Sequence, residues 1–521
     1  MAGLAVLLPA AAQAGTLDFA SGSRMEYLLN LTYSAAMRVD DPAGVLEANI
    51  NGDDGNRNFE VGQLINNRVS ALGEIGYEWG RYGFFARGNA FYDAAIMDED
   101  PSHDAPARRN RDGDPNRFSD EMRDRLGERA RMLDAYVYGG WDLFGTSLNI
   151  RAGEQVVSWG ESLFFPNTSG AQSPADASRS NVPGREVKDI LLPMGQVLVQ
   201  WGIGYRLGLS AYYQYEADYT ELNPIGAYFS TTDIVGPGAD FLIVEDLPLV
   251  GNQQIRRLAD IRPTDGPEWG VSANYLFGTG TEVAVQYLRY HDKNPTGVEF
   301  QNAGTLNVLL GNSTYRTRYF DAIDLASASI STNIGSTAIT AEVSHRWGAG
   351  VNVDAPVIAG ENAPTPTRAD VWQANLGAFQ ILLPSAFWDR VVLVGEISGV
   401  HVSDVDPLRI DGAEFARLTN TRNAAAAQGL MAVTYQQVIP GWDVEITLAH
   451  ANAFEGQTAV AGSLGSLTGQ GDRRYRIALA GIYLANLRAE LAYDHFDGGP
   501  DPTRRGLADR SFTAFSATYS F

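Results

Sequence analysis

The chain of 521 residues contains no cysteine and no apolar run of about 18 residues. The absence of cysteine excludes a disulfide scaffold and every site that depends on a thiolate. The absence of a long apolar run excludes a membrane-spanning helix. The sequence also contains no nucleophile elbow, phosphate-binding loop or dinucleotide-binding pattern. These absences predict a protein that has no catalytic residues, no cofactor and no metal ion.

Basic residues are also scarce, with 39 Lys and Arg against 62 Asp and Glu, for a formal net charge of -23. This balance argues against binding to nucleic acid, because a phosphate backbone requires a basic surface. Glycine and aromatic residues are plentiful, with 55 Gly, 23 Tyr, 22 Phe and 9 Trp. A membrane protein that lacks spanning helices must be a closed barrel, because only closure satisfies all backbone polar groups in lipid.

The last eleven residues, 511–521, alternate polar and apolar side chains and end on Phe521. A period of two over about ten residues is typical of one tilted strand that crosses a membrane. A terminal strand that ends in an aromatic residue also resembles the insertion signal of outer-membrane barrels. We therefore expect the barrel-assembly machinery to be a partner that recognises Phe521. The alternative is the edge strand of a β-sandwich.

The N-terminus predicts an export signal. Residues 2–12 are apolar, and Ala12-Gln13-Ala14 is a small-x-small cleavage pattern. The basic residues that usually precede the apolar stretch are missing, so we interpret residues 1–14 as a partial secretory signal peptide. The alternative is a buried apolar N-terminus. Residues 15–521 are predicted to form a single outer-membrane β-barrel.

Period-two segments predict the fold class: all-β, an antiparallel transmembrane β-barrel of about 18 strands, with 16 as the alternative count. Tight turns alternate with long connections rich in Pro, Gly, Asp and Asn, which is typical of short periplasmic turns and long outer loops. The predicted strands are 24–38, 62–78, 82–95, 131–143, 146–159, 196–204, 206–219, 268–277, 281–292, 319–332, 336–347, 370–383, 390–402, 428–438, 441–451, 473–485, 487–496 and 511–521.

The first of these strands shows two distinct faces. Tyr27, Leu29 and Leu31 alternate with Asn30 and Thr32 along it. One face suits lipid, and the other suits an aqueous lumen. A soluble barrel of this width could not fill its interior with apolar side chains. The pattern therefore favours the bacterial outer membrane, with membrane lipid and lipopolysaccharide as partners.

Four later strands each carry a Glu that a His follows at an odd separation, and these carboxylates are Glu342, Glu396, Glu445 and Glu490. An odd separation places Glu and His on opposite faces of the sheet. We interpret the Glu residues as a band of lumenal carboxylates. The alternative is that each pairs with a lumenal arginine, such as Arg346, Arg474 or Arg476, and stiffens the wall. Equivalent positions on separated strands lie roughly 10 Å apart, so the His residues predict no metal site.

The connection at 160–195 is the least barrel-like part of the chain. It contains four prolines and has an aromatic-rich entry, which indicates a stiff, shaped loop. We predict that it folds inward, that Trp159, Phe164 and Phe165 face the solute, and that Glu161 fixes the loop through Arg151. The alternative is that Trp159 is a girdle aromatic and the loop only caps the barrel. The predicted constriction residues are Arg151, Gln155, Trp159, Glu161, Phe164, Phe165, Pro174 and Asp176.

The same region carries a family resemblance. The R-x-G-x-Q-V-V-S-W-G-E-S stretch at 151–162, Pro174-x-Asp176 and the P-G-x-E-x-K-D run at 183–189 resemble the outer-membrane β-barrel family catalogued as domain of unknown function 1302 (DUF1302). The resemblance extends more loosely over the whole chain. It implies the handling of sterols, fatty acids or other hydrophobic compounds. It also implies an inner-membrane exporter of the resistance-nodulation-division type and a periplasmic or lipoprotein-like partner.

Two classes of function follow. The first is a passive outer-membrane channel for hydrophobic or amphipathic solutes. The second is an outer-membrane hydrolase with a site at the rim, where His450 or His495 meets a Ser and an Asp. The channel is favoured, because these His residues share the lipid-facing parity and no local Ser/Asp arrangement stands out. A purely structural barrel or adhesin is a further alternative, but it leaves residues 151–161 unexplained.

Overall fold

The computed structural model describes residues 15–102, 117–185, 190–247, 251–263, 266–278, 280–358 and 360–521. The predicted signal segment 1–14 lies outside the described residues, as does the part of the predicted loop at 186–189. The strands are β1 (Gly15–Asp18), β2 (Arg24–Arg38), β3 (Leu64–Trp79), β4 (Tyr82–Asp93), β5 (Glu128–Leu143), β6 (Thr146–Gln155), β7 (Met194–Ile203), β8 (Leu207–Gln214), β9 (Phe241–Leu247), β10 (Gly251–Arg257), β11 (Glu268–Leu276), β12 (Glu282–Tyr290), β13 (Gly297–Gln301), β14 (Thr314–Arg318), β15 (Ile323–Ile334), β16 (Thr337–Ile358), β17 (Glu361–Leu382), β18 (Arg390–Val405), β19 (Leu408–Ile410), β20 (Ala413–Phe415), β21 (Asn423–Ile439), β22 (Trp442–Glu455), β23 (Arg473–Tyr483), β24 (Leu487–Asp497) and β25 (Phe512–Ser520).

Helical structure in the described residues is confined to short turns of the connections. These are α1 (Gly44–Glu47), α2 (Asp54–Arg57), α3 (Ala94–Met97), α4 (Asp120–Met122), α5 (Thr305–Leu309), a π-helical turn at Arg123–Gly127 and 3₁₀ turns at Ser169–Ala171 and Ala177–Arg179. None of these described helices is long and apolar enough to cross a membrane.

Eighteen of the strands form one closed antiparallel barrel. Neighbours pair in the order β2 to β8, β11, β12, β15 to β18 and β21 to β25, and β8 pairs with β11 across the long connection between them. The barrel closes where β25 pairs with β2, from Asn30 opposite Ser520 to Arg38 opposite Phe512. Each predicted strand overlaps one of these eighteen. The prediction of an all-β antiparallel barrel with 18 strands is confirmed.

The two ends of the barrel differ in the length of their connections. At one end, which we call the turn end, short links such as 80–81, 144–145 and 440–441 join neighbouring strands. At the other, the loop end, long connections such as 156–193 and 215–267 leave the wall. Strands β9, β10, β13 and β14 form a small separate sheet within these connections, and β19 pairs with β20 in a hairpin. The loop end therefore carries most of the irregular structure.

The link between β16 and β17 differs from the prediction. The predicted strands 336–347 and 370–383 leave 348–369 as a connection, but both strands continue, and β16 pairs with β17 as far as Ile358 opposite Glu361. β17 contains Pro364 and Pro366, which cannot donate a hydrogen bond to a neighbouring strand. Beyond Ala369, however, β17 no longer pairs with β18, so it has a free edge on which proline is tolerated. The result is a hairpin that projects beyond the barrel.

The barrel wall keeps its two faces along the strands. Leu31, Ile397 and Leu491 are exposed large apolar residues on the outer face, whereas Thr32 and Glu396, one position away from Leu31 and Ile397, are buried inside. Successive side chains of a strand point to opposite faces, which explains the alternation. The buried interior is shared between polar side chains and apolar clusters formed with the loops. The polar interior is where the candidate site lies.

Candidate functional site

Residues 156–185, which we call the lumenal segment, leave the wall after β6 and contact several distant parts of the barrel interior. The segment turns at Gly160, whose φ of +97° favours glycine. A Cβ built on Gly160 would lie 2.5 Å from Glu342 Oε2, so only a glycine allows the backbone to approach this carboxylate. The Trp-Gly-Glu motif therefore marks a point of close contact between the segment and the wall.

Two buried carboxylates on the wall, Glu342 and Glu396, hold the first part of the lumenal segment. Glu342 on β16 accepts hydrogen bonds from the Glu161 amide at 2.7 Å, the Thr168 amide at 2.9 Å and Thr168 Oγ1 at 2.6 Å. Glu342 and Glu396 both accept hydrogen bonds from backbone N–H groups, and a loop buried in the lumen needs such partners. Neither forms an ion pair with a cation among the described residues.

Glu396 on β18 binds the backbone amides of residues 163–165. Its carboxylate accepts hydrogen bonds from the amides of Leu163 at 3.2 Å, Phe164, and Phe165 at 2.9 Å. Asn375 Nδ2 donates a fourth hydrogen bond to Glu396 at 2.9 Å. Hydrogen bonds to an ionised acceptor are stronger than those between neutral groups. Glu396 thus fixes the backbone of three consecutive residues.

Further polar side chains of β16 and β17 bind the turn at Pro166 and Asn167. Asn375 Nδ2 donates to Phe165 O at 2.8 Å, and Gln373 Nε2 donates to Pro166 O at 3.0 Å. Arg346 Nη2 donates to Asn167 O at 3.1 Å, and Ser344 Oγ donates to Asn167 Oδ1. These contacts were not predicted from the sequence. The polar alternation of Glu342, Ser344 and Arg346 on β16, and of Gln373 and Asn375 on β17, was the available signal.

The aromatic residues of the segment are covered in this structure. Phe164 is 8% exposed and Phe165 is 1% exposed, because both pack into an apolar cluster that includes Val371 of the wall and Leu464 of the 456–472 connection. Trp159 is partly buried against Tyr212, with ring centroids 5.0 Å apart. That these three rings meet a solute stays a prediction. Contact with a solute would require the cluster to open.

The middle of the lumenal segment is tied to β5. Arg131 on β5 forms an ion pair of 2.6 Å with the buried Asp176. Next to it, Glu221 of the 215–267 connection accepts hydrogen bonds from Arg129 and Arg131. Burial opposes the ionisation of Glu221, but the hydrogen bond from Arg129 and the charges of both arginines hold its pKa below the ordinary value. Pro174 contributes its carbonyl, which accepts the Leu192 amide at 2.9 Å.

The end of the segment reaches the wall where the barrel closes. A Cβ built on Gly184 would lie 2.9 Å from Thr32 Cγ2 on β2 and 2.9 Å from Ser516 Cβ on β25. The segment therefore starts at β6 and touches β16 to β18, then β5, then β2 and β25. Because β16 to β18 are separated from β6 by several strands in either direction around the barrel, this path crosses the lumen.

The remaining predicted constriction residues lie near the entry. Gln155 Nε2 donates to Gln196 O at 3.1 Å, and Gln196 Nε2 donates to Gln155 O at 2.7 Å, so the pair closes the end of the β6–β7 ladder. Arg151 lies over the ring of Tyr136 at 5.7 Å, and no ion pair between Arg151 and Glu161 is found among the described residues. Burial raises the pKa of Glu161, and the nearby carboxylates Glu282 and Glu342 raise it further.

The predicted band of four carboxylates divides into two pairs with different partners. Glu445 binds Arg488 at 2.9 Å, and Glu490 binds Arg488 at 2.7 Å and Arg476 at 2.6 Å. Arg476 also pairs with Asp494. Glu445 and Glu490 thus follow the alternative in which a carboxylate pairs with a lumenal arginine, whereas Glu342 and Glu396 bind the lumenal segment.

The rim His residues make one contact relevant to a hydrolase. His495 Nδ1 lies 3.0 Å from Ser511 Oγ. Ser511 is completely buried, and its Oγ also accepts the Phe496 amide at 3.1 Å. His450 Nδ1 lies 3.1 Å from the carbonyl oxygen of Arg474. A nucleophile needs access to substrate, which the buried Ser511 lacks in this structure.

Comparisons with known proteins give one family and several distant structures. The model of the family described as "Protein of unknown function (DUF1302)" matches residues 1–521. No curated protein matches the chain. The structure of Acinetobacter baumannii OccAB4 has a TM-score of 0.46 and 8% identity, covering 95% of this chain and 98% of that chain. A BenF-like porin from Pseudomonas fluorescens Pf-5 has a TM-score of 0.42 and 10% identity, with 96% and 98% covered. The outer membrane channel DcaP of Acinetobacter baumannii has a TM-score of 0.38 and 10% identity, with 98% and 100% covered. Similarity at this level carries no information about solute or mechanism.

Proposed function

The chain belongs to the DUF1302 family of proteins of unknown function, and we propose that it is a passive outer-membrane channel for hydrophobic or amphipathic solutes. The lumenal segment is the constriction of this channel. The observation that carries the proposal is the binding of this segment by Glu342 and Glu396 on the inner wall.

Membrane placement is supported by the outer surface of the barrel. Large apolar side chains are exposed along its wall, among them Val69, Val137 and Leu491. Soluble monomers rarely expose contiguous apolar surface of this kind, and a membrane barrel requires it. Exposed aromatic residues such as Trp79 and Tyr483 lie near the turn end, where an interfacial girdle is expected. In this proposal the turn end faces the periplasm.

A constriction is supported by the way in which the lumenal segment is held. Its backbone amides converge on two buried carboxylates, and its middle is fixed by the Asp176–Arg131 ion pair. A segment with this many specific partners has a fixed position inside the lumen, whereas a loop that only covers the entrance would not need them. We therefore propose that solutes pass beside it and that its position sets the width of the path.

An amphipathic solute is supported by the mixture of surfaces inside the barrel. The cluster around Phe164 and Phe165 is apolar, whereas the wall at Arg476, Arg488 and Glu490 carries charged groups. Binding sites for small molecules are usually apolar with a few placed polar groups. Assembly through Phe521 and the passing of the solute to an exporter with a periplasmic or lipoprotein partner are further parts of the proposal. A hydrolase at the rim is disfavoured by the burial of Ser511.

The test is single-channel recording of the purified protein in planar lipid bilayers. Deletion of residues 163–182 should raise the conductance and abolish the uptake of a hydrophobic tracer by cells, because the constriction is lost. Deletion of residues 409–414, which belong to the exposed β19–β20 hairpin, is the matched control and should leave both unchanged. Unchanged conductance in the first deletion would show that the segment is not a constriction.

A further inference from the structure

Two adjoining cavities between the lumenal segment and strands β2 to β4 have opposite character. The first is polar and has a volume of about 20 Å³, and its walls include Thr32, Arg68, Asn89, Arg179 and Arg185. About 10–15 Å³ is enough to hold one water molecule, so the polar cavity has room for a small polar group. Three guanidinium groups on its walls favour a group that is negatively charged.

Asn89 offers hydrogen-bonding atoms to a ligand in the polar cavity. Its side chain is 6% exposed, and neither Oδ1 nor Nδ2 has a hydrogen-bond partner. The Nη1 atom of Arg68 is also buried without a partner, although Nε binds Asp93 at 3.1 Å and Nη2 donates to Leu126 O at 3.0 Å. Buried polar groups without partners are costly, and they are uncommon in folded proteins unless something else satisfies them. An oxyanion could accept hydrogen bonds from both Arg68 Nη1 and Asn89 Nδ2.

The second cavity, of about 40 Å³, is mostly apolar. Its walls include Phe59, Ile96, Met122, Ala227 and Phe229. Arg68, Val182 and Pro183 line both cavities, so the two adjoin at the end of the lumenal segment. On β2, Thr32 lines the polar cavity and Ala36 lines the apolar one. Ala36 lies four residues nearer to the loop end, a distance of about 13 Å along a strand.

We propose that the two cavities together form one binding site for a carboxylate amphiphile. The carboxylate binds at Arg68 and Asn89, and the apolar chain lies between Ile96, Met122 and Phe229 and points towards the loop end. Val182 and Pro183 form the wall common to both parts, so the bound molecule contacts the constriction itself. This inference rests on the proposed channel function and names the class of its solute.

The test measures the binding of octanoate to the full chain in lipid nanodiscs by isothermal titration calorimetry. Octanoate carries both the charged group and the chain, 1-octanol lacks the charge, and acetate lacks the chain. Wild-type protein should bind octanoate at least tenfold more tightly than either. Equal binding of octanol and octanoate by wild type would overturn the assignment of an anion site.

Three variants locate the site. Asn89→Leu should weaken octanoate binding at least tenfold without harming folding, because the Asn89 side chain has no hydrogen bond to lose. Ala227→Leu should fill the apolar cavity and reduce octanoate affinity to that of acetate. Asn274→Leu makes the same change on β11, away from both cavities, and should bind octanoate as wild type does even though it loses the hydrogen bond from Asn274 to Glu282.

Heat-modifiable migration in gels verifies that each variant is folded. Undiminished octanoate binding by folded Asn89→Leu would overturn the proposed site. The channel proposal has its own readout, which is the conductance of the 163–182 deletion. If octanoate does not bind but the 163–182 deletion still raises the conductance, the binding site is refuted and the channel function is retained.

Discussion

Glu396 is the residue whose replacement tests the constriction most directly. The Glu396→Gln substitution keeps the size of the side chain and removes its charge. The carboxylate accepts hydrogen bonds from the amides of Leu163, Phe164 and Phe165 and from Asn375. The Gln side chain has one oxygen and one NH₂ group where Glu has two oxygens. In either orientation of the side chain, the NH₂ group faces two N–H donors that had bound a carboxylate oxygen. At least two hydrogen bonds to a charged acceptor are lost.

The size of the effect follows from these contacts. A hydrogen bond to a charged group contributes about 1.5–3 kcal/mol, and one or two of the lost bonds come from the segment, so its attachment weakens by about 1.5–6 kcal/mol. Since about 1.4 kcal/mol corresponds to a tenfold change, the equilibrium between held and released segment should shift by about 10–10⁴-fold. Glu342 still binds the Glu161 and Thr168 amides, so the single variant should show rapid current fluctuations. The Glu342→Gln/Glu396→Gln double variant should show a higher mean conductance.

Single-channel recording in planar bilayers measures both quantities. Glu445→Gln is the matched control, because it removes an equally buried lumenal charge that binds Arg488 and not the segment. The control should retain the quiet current of the wild type. A folded double variant with wild-type conductance and noise would refute the conclusion that these carboxylates hold a constriction.

Three other predictions test separate parts of the structure. Gly160→Ala should increase the current noise, as Glu396→Gln does, because its Cβ would lie 2.5 Å from Glu342 Oε2 and its φ of +97° strains any other residue; quiet recordings would contradict this. Burial raises the pKa of Asp292 to about 6. The pKa of Asp in an unfolded chain is about 3.9, so Asp292 stabilises the folded state most below about pH 4. Its contribution to the free energy of unfolding falls by about 3 kcal/mol as the pH rises through about 6. Asp292→Asn should flatten this part of the pH profile of thermal unfolding, and an unchanged profile would refute it. Deletion of Phe521 should reduce assembly in the outer membrane more than Tyr205→Ala, an exposed aromatic of a turn, and equal membrane levels would exclude the insertion signal.

The division of the carboxylates shows where sequence reasoning stops. The alternation along each strand places Glu342, Glu396, Glu445 and Glu490 on the inner face, because the side-chain period of a strand is two. It does not tell which of them meets an arginine. Arg488 reaches Glu445 from two strands away, and Glu396 meets the amides of a segment more than two hundred residues earlier in the chain. These partners depend on how the lumen is filled.

The sequence by itself determined the local structure of this protein. Period-two alternation located all eighteen barrel strands, and the alternation of turns with long connections located the two ends, because both are properties of neighbouring residues. Only the tertiary structure decided which parts of the interior meet. It placed Phe164 and Phe165 against the wall, joined Asp176 to Arg131 and brought Val182 beside Arg68. The physical reason is that strand pairing follows local periodicity, whereas the packing of a connection inside the barrel depends on distant groups that satisfy its backbone and cover its apolar side chains.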